Sequence, residues 1–216
     1  MMGSELNEEK YNLVLQKQII LGKRNWILPL APFQIPEELP ECENLNEKMV
    51  TFYSENDAEQ FNIIIENIKT NLKFEHHIQA IEQAIKAYNA RDYYACCYTL
   101  APFVEGILAH NSPNKNCMKS TIFFERTLRQ SDARMLKKGY LLYGILLALE
   151  GFLHNYNDHA SFEEGIEPEY LNRHWMAHGR MEKEICQYHC LQLFGAIWAL
   201  TELLHYNNSD KICMSS

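Results

Sequence analysis

The chain has 216 residues, enough for one domain with an extension, and its 47% hydrophobic and 22% charged residues argue against global disorder. Only 9 glycines and 7 prolines disfavour a β architecture with many turns and favour helices. A net charge of −8 weighs against a protein that coats DNA, although a local basic patch can still hold a short RNA.

The first 50 residues are predicted to be an acidic, irregular extension of unassigned role. One amphipathic helix is predicted from about residue 5 to 20. Prolines at positions 29, 32, 36 and 40 then exclude regular helix. We expect this part to be an extended connector that is wrapped on a surface or loosely ordered.

A helical domain is predicted over 51–210, followed by a tail at 211–216. Apolar residues at helical spacing predict helices starting at Ser54, over 75–89, and from near Asp92 with a kink at Pro102. A long apolar helix over 134–154 and a final helix over 182–206 complete the set. Because no alternating pattern argues for a sheet, the predicted fold class is all-α.

A loop and a short helix are predicted between the last two long helices. The acidic residues 155–167 form the loop. Pro168 is well placed as the first helical residue, and Gly179 can end the helix.

The seven cysteines are odd in number and follow no regular framework, which indicates reduced thiols in a cytoplasmic protein. The N-terminus shows no charged-then-apolar signal. The apolar stretches 140–149 and 191–204 are too short to span a bilayer, so we expect buried helices and no membrane contact.

Arg173 and His178 are the residues best suited to chemistry. RNA can be cut by its own 2′-hydroxyl when one group moves the proton and another stabilises charge on the phosphate. A histidine suits the first task and an arginine the second, without a metal or cofactor. On an ideal helix the two side chains point about 140° apart, so spacing alone favours a surface arginine and a capping histidine.

Residues 172–179 read Asn-Arg-His-Trp-Met-Ala-His-Gly. They resemble the signature of the HEPN superfamily of helical nucleases and nucleotide-binding domains, which has an arginine, a polar residue and a histidine four to six residues after the arginine. One subset of the family reads Asn-Arg-His-x-x-x-His-Gly, as these residues do. The subset also has a proline followed by Glu-Gly-Ile-Leu in an early helix, as at 102–108, and a long apolar helix after the motif. The resemblance covers about residues 76–206.

This resemblance implies a HEPN-like helical bundle that forms a homodimer with one composite cleft. Its members are commonly metal-independent endoribonucleases of toxin–antitoxin, phage-defence or CRISPR-associated systems. The implied roles are His178 as acid/base and Arg173 as phosphate stabiliser, with His174, Asn172 and Glu105 in support. Where some family toxins carry a tyrosine that a partner nucleotidyltransferase modifies, this chain has Arg180, which puts that form of silencing in doubt.

The expected function is therefore an endoribonuclease that cuts single-stranded or loop RNA, with an antitoxin or another system component as a candidate partner. The alternative is a non-catalytic module that binds a nucleotide or RNA, or that only dimerises. The basic stretch 115–138 is either a solvated face or a phosphate-binding surface, whose candidate contacts are Lys115, Lys119, Arg126 and Arg129.

Two clusters could be imagined as metal sites, and for each we favour another interpretation. Cys186, His189 and Cys190 supply three ligands where a closed zinc site needs four, and small cysteines one turn apart more often pack in a core. His154, Asp158 and His159 lie in a segment that is typical of a solvated helix exit. No metal ligand is predicted.

Overall fold

The computed structural model describes residues 8–29, 35–72, 74–111 and 140–213. All regular structure in these ranges is helical, which confirms the all-α fold class. The helices are α1 (Glu8–Lys23), α2 (Leu45–Asn71), α3 (Glu75–Asn89), α4 (Tyr93–Asn111), α5 (Tyr140–Tyr156), α6 (Ala160–Glu164), α7 (Arg173–Ala177) and α8 (Gln187–Cys213).

The last helix, α8, is the centre of the molecule. Helices α2, α4 and α5 pack on it, while α3 packs on α4 and α1 packs on α5. Every residue from 189 to 201 is buried, as expected for a largely apolar helix that needs neighbours on all sides. No helix within the described ranges is long and apolar enough to cross a membrane.

The N-terminal segment differs from the surface connector that its prolines predict. Trp26, Ile27 and Leu28 are each only 1% exposed and belong to the same apolar core as α8. Helix α1 approaches α5 so closely that a Cβ atom on Gly151 would lie 2.6 Å from the backbone carbon of Gly22. Burial of apolar side chains therefore fixes the end of α1 and the residues up to Leu28, which precede the prolines.

Helix α2 begins at Leu45, before the predicted start at Ser54. Leu45, Met49 and Tyr53 recur every fourth residue and are buried, so packing supports the helical turns that the sequence did not reveal. The predicted start is instead a break inside α2, where residues 55–58 leave the helical conformation.

Two predictions near the motif also need correction. The short helix α7 begins at Arg173, so Pro168 precedes it and is not its first residue. The predicted acidic loop contains the helix α6. Helix α3 matches its predicted bounds of 75–89, whereas residues 134–139 of the predicted apolar helix lie outside the described residues.

Candidate functional site

Asn172 fixes the start of the motif, residues 172–179. Its Oδ1 accepts hydrogen bonds from the backbone N–H groups of His174 (2.9 Å) and Trp175 (3.3 Å), which makes it the N-cap of α7. Its Nδ2 donates to the carbonyls of Asn155 (3.2 Å) and Asp158 (2.8 Å). One buried side chain therefore caps the motif helix and connects it to the end of α5 and to the segment that follows α5.

Gly179 and Arg180 fix the other end of α7. The N–H of Gly179 donates to Met176 O and the N–H of Arg180 donates to Trp175 O, both at 3.0 Å. With Gly179 at φ 63°, this is the Schellman arrangement that ends many helices. His178 is the C-cap of α7, at φ −96° and ψ 4°.

Arg173 lies against a carboxylate from another helix. Its Nη1 is 3.1 Å from Oε1 of Glu105 on α4, and the two side chains are 14% and 31% exposed. Within the described part of the chain, its buried Nε has no hydrogen-bond partner. Tyr156 lies in the same electrostatic neighbourhood: burial, followed by the Glu105 charge, raises the pKa of its hydroxyl.

His174 lies among the other ionisable groups of the site. Its ring centroid is 4.7 Å from that of His159, with the ring planes at 86°. Burial is the main cause that lowers the pKa of His174, and the charges of Arg173 and His159 lower it further. Glu105 opposes this shift and His178 adds to it. The charges of Arg173 and His178 therefore both act on the imidazole of His174.

Phe162 on α6 forms an aromatic contact surface beside the motif. Its ring centroid is 4.9 Å from that of His178 and 6.0 Å from that of Trp175. The Arg180 guanidinium carbon lies 4.5 Å from the Phe162 ring and 4.7 Å from the Trp175 ring. His178 remains exposed, so its imidazole is in contact with both protein and solvent.

The fold brings together the motif residues and Glu105, which the sequence places far apart. The candidate RNA contacts lie outside the described residues and stay predictions; they are Lys115, Lys119, Arg126 and Arg129. Sequence reasoning missed that His159 and Phe162 join the motif, because their contacts with it are tertiary. The one related signal was the cluster of His154, Asp158 and His159, which was considered as a metal site.

The three candidate zinc ligands, which lie at the start of α8 and just before it, have other neighbours. His189 Nδ1 accepts a hydrogen bond from the backbone N–H of Cys186 at 2.9 Å, and burial lowers its pKa to about 4. The Cys190 Sγ lies 3.5 Å from the Cys97 Sγ. Across the described ranges, no three histidine, cysteine, aspartate or glutamate side chains are grouped to hold a metal ion.

The second imagined metal cluster is also engaged within the protein. The two carboxylate oxygens of Asp158 accept hydrogen bonds from the hydroxyl of Tyr170 (2.8 Å) and the backbone N–H of Ala160 (3.0 Å). Burial would raise the pKa of Asp158, but these hydrogen bonds outweigh it and lower the pKa. The carboxylate thus anchors the turn before α6.

Comparison of the chain with protein-family models, curated proteins and solved structures found no match. A relation to the HEPN superfamily stays a prediction, which depends on the motif, on the Glu105 segment and on the apolar helix after the motif.

Proposed function

We propose that this protein is a metal-independent endoribonuclease of the HEPN type that cuts single-stranded or loop RNA. The observation that supports this most is that Arg173 begins the short helix α7 and His178 caps its end. Hydrogen bonds fix both ends of this helix. A permanent cation and an exposed imidazole are thereby held in one place.

In the proposed reaction, the 2′-hydroxyl of the RNA attacks the adjacent phosphorus. His178 transfers a proton, because its exposed imidazole can reach a bound substrate. Arg173 stabilises the charge on the non-bridging oxygens. The products are a 2′,3′-cyclic phosphate and a 5′-hydroxyl.

Glu105 is proposed to support Arg173. The ion pair holds the guanidinium in place between α4 and α7, while its buried Nε–H still lacks an acceptor among the described residues. A phosphate oxygen that reached this donor would satisfy a group whose burial without a partner is unfavourable. Small rearrangements around Arg173 would accompany this step.

The protein is further proposed to act as a homodimer whose interface surrounds the motif. Two facing motifs would place two arginines and two exposed histidines around one phosphate. A stable interface of this kind buries at least about 1,000 Å². Light scattering at micromolar concentration should give twice the monomer mass, and a monomer that still cuts RNA would overturn the composite site. A defence-system setting, with an antitoxin or other partner protein, belongs to the same proposal.

The direct test is incubation of the protein with a mixed RNA in EDTA, with wild type compared with His178→Ala. We expect cleavage by wild type, loss of cleavage in the variant and cyclic phosphate at the new ends. Cleavage that requires an added divalent metal, or that is equally fast in the variant, would overturn the mechanism.

A non-catalytic nucleotide- or RNA-binding module is the second candidate. It is favoured by the state of Arg173, which is only 14% exposed and already paired with Glu105. An RNA would have to compete with this carboxylate for the guanidinium. Binding that depends on Arg173 without any cleavage, over a range of RNAs, would support this second function.

A further inference from the structure

His159, which lies outside the motif, faces the same site. It directly precedes α6, and its ring centroid lies 4.7 Å from that of His174. Its Nδ1 is 3.1 Å from Oε1 of Glu163, and its side chain is 52% exposed. A histidine with one ring nitrogen on a carboxylate presents the other nitrogen to its surroundings.

The backbone before His159 is held by residues in and next to the motif. Asn172, the cap of α7, donates to the carbonyls of Asn155 and Asp158. The carboxylate of Asp158 accepts hydrogen bonds from Tyr170 and from the N–H of Ala160. These bonds surround the peptide that carries His159, so its position beside His174 is built into the fold.

We propose that His159, oriented by Glu163, is a second proton-transfer residue of this site; the proposal depends on the proposed RNA cleavage. In that reaction the bond between O2′ and phosphorus forms and the bond between phosphorus and O5′ breaks. One neutral imidazole takes the proton from O2′, and one protonated imidazole gives a proton to O5′. His178 and His159 would together supply both groups.

His174 lies beside His159 and belongs to the same short motif as His178. Burial, followed by the charges of Arg173 and His159, lowers its pKa and so disfavours the charged form of its ring. A pH profile of the site reflects every charged group around this position: Glu163, Asp158, Arg173, His174, His178 and Glu105. Single variants must therefore be compared with wild type across the whole profile.

A purely structural role for the His159–Glu163 pair makes a different prediction. The two residues are spaced i, i+4 and both side chains are more than half exposed. In a purely structural role, their ion pair would stabilise α6 slightly and do nothing else. Such a role would change the unfolding midpoint slightly and leave the shape of the activity profile unchanged. The pH dependence of kcat/KM therefore separates the two roles.

The experiment measures kcat/KM for RNA cleavage in EDTA from about pH 5 to pH 9. The proteins are wild type, His159→Asn, Glu163→Gln and the matched control Glu164→Gln, which alters the neighbouring exposed carboxylate of α6. We expect His159→Asn to lose about 10²-fold or more and to lose one limb of the bell-shaped profile. Glu163→Gln should shift the same limb with a smaller loss, and Glu164→Gln should match wild type.

A binding readout tests the same idea without turnover. The probe is an RNA of the cleaved sequence with one 2′-deoxy sugar at the scissile position, added to protein with isotope-labelled histidines. We expect the ring signals of His159 and His178 to shift together in NMR spectra.

The outcomes separate the two proposals. If His159→Asn keeps the wild-type rate and both limbs while His178→Ala is inactive, His159 is not a proton-transfer residue and the endoribonuclease proposal stands. Ring signals of His178 that shift alone would overturn the role of His159 as well. If wild type cuts no RNA, both proposals fail.

Discussion

Two histidines at helix ends, His178 and His189, have opposite environments. His189 is 4% exposed, accepts a backbone hydrogen bond from Cys186, and has its pKa lowered to about 4 by burial. His178 is exposed and lies against the Phe162 ring. Residue type alone does not separate them, but burial makes His189 a structural hydrogen-bond acceptor, whereas His178 stays accessible to solvent.

The residues around the two histidines follow the same contrast. Near His189, Cys97 and Cys190 pack sulfur to sulfur in the core between α4 and α8. Near His178, an arginine and an aromatic ring form a partly exposed polar surface. The first environment is closed to solvent, whereas His178 and Arg180 in the second are exposed. Substitutions in the two environments should therefore differ in their effects on stability and on activity.

The largest expected effect is on activity at the exposed histidine. His178→Ala should lower RNA cleavage by about 10²–10⁴-fold, because it removes the proposed proton-transfer group. Its unfolding midpoint should stay near that of wild type, since the side chain is exposed. Single-turnover cleavage and urea unfolding of the same preparations measure the two quantities.

Arg173→Ala should lower cleavage by about 10²–10³-fold, because the phosphate charge would lose its main counter-charge. Arg173→Lys should restore only part of the rate. An ammonium keeps the charge, but it cannot donate two parallel hydrogen bonds to a phosphate as the planar guanidinium can. Full activity of the lysine variant in single-turnover assays would show that charge alone is needed at this position.

The buried histidine should give a pH dependence of stability. Its folded pKa of about 4 lies below the ordinary 6.5, so the unfolded chain binds more protons between these values. The free energy of unfolding should therefore fall as pH drops from 6.5 to 4, by at most about 3 kcal/mol from this group.

Urea unfolding at several pH values, with wild type compared with His189→Gln, isolates that contribution. The amide keeps a hydrogen-bond acceptor without titrating, so the variant should show a flatter slope. His174, whose pKa is also lowered by burial and then by Arg173, contributes in the same direction in both proteins. Equal slopes in the two proteins would remove His189 as a cause.

Asn172→Ala should destabilise the protein by about 1–2 kcal/mol, because it removes the cap of α7 and leaves buried polar backbone groups without partners. Asn172→Asp is the matched variant, since it keeps the capping oxygen and loses the donation to Asn155 and Asp158. Urea unfolding of both variants separates the contribution of the capping hydrogen bonds from that of the hydrogen bonds to Asn155 and Asp158. If both equal wild type, Asn172 does not fix the motif.

The smallest expected effect concerns Arg180. Arg180→Ala should lower the free energy of unfolding by about 0.5–1 kcal/mol, because the guanidinium packs on Phe162 and Trp175. Arg180→Lys should keep less than the full contribution, since an ammonium does not stack as a plane. Thermal unfolding of the three proteins tests this order.

Local features of the site were readable in the sequence. Gly179 ends α7 as expected, since a left-handed residue after a helix is a local requirement. One short segment of the sequence identifies Arg173, His178 and Asn172 as candidate site residues. Glu105 is a candidate through the family resemblance alone, and its ion pair with Arg173 depends on how α4 and α7 pack.

The sequence by itself determined the all-α class, the bounds of α3 and the end of the motif helix, because helical periodicity and capping act over a few residues. Only the tertiary structure decided that Trp26–Leu28 are buried, that α2 begins at Leu45, and that His159 and Phe162 join the motif. Each of these depends on contacts between distant segments, whose burial outweighs the local preferences that a sequence pattern reports.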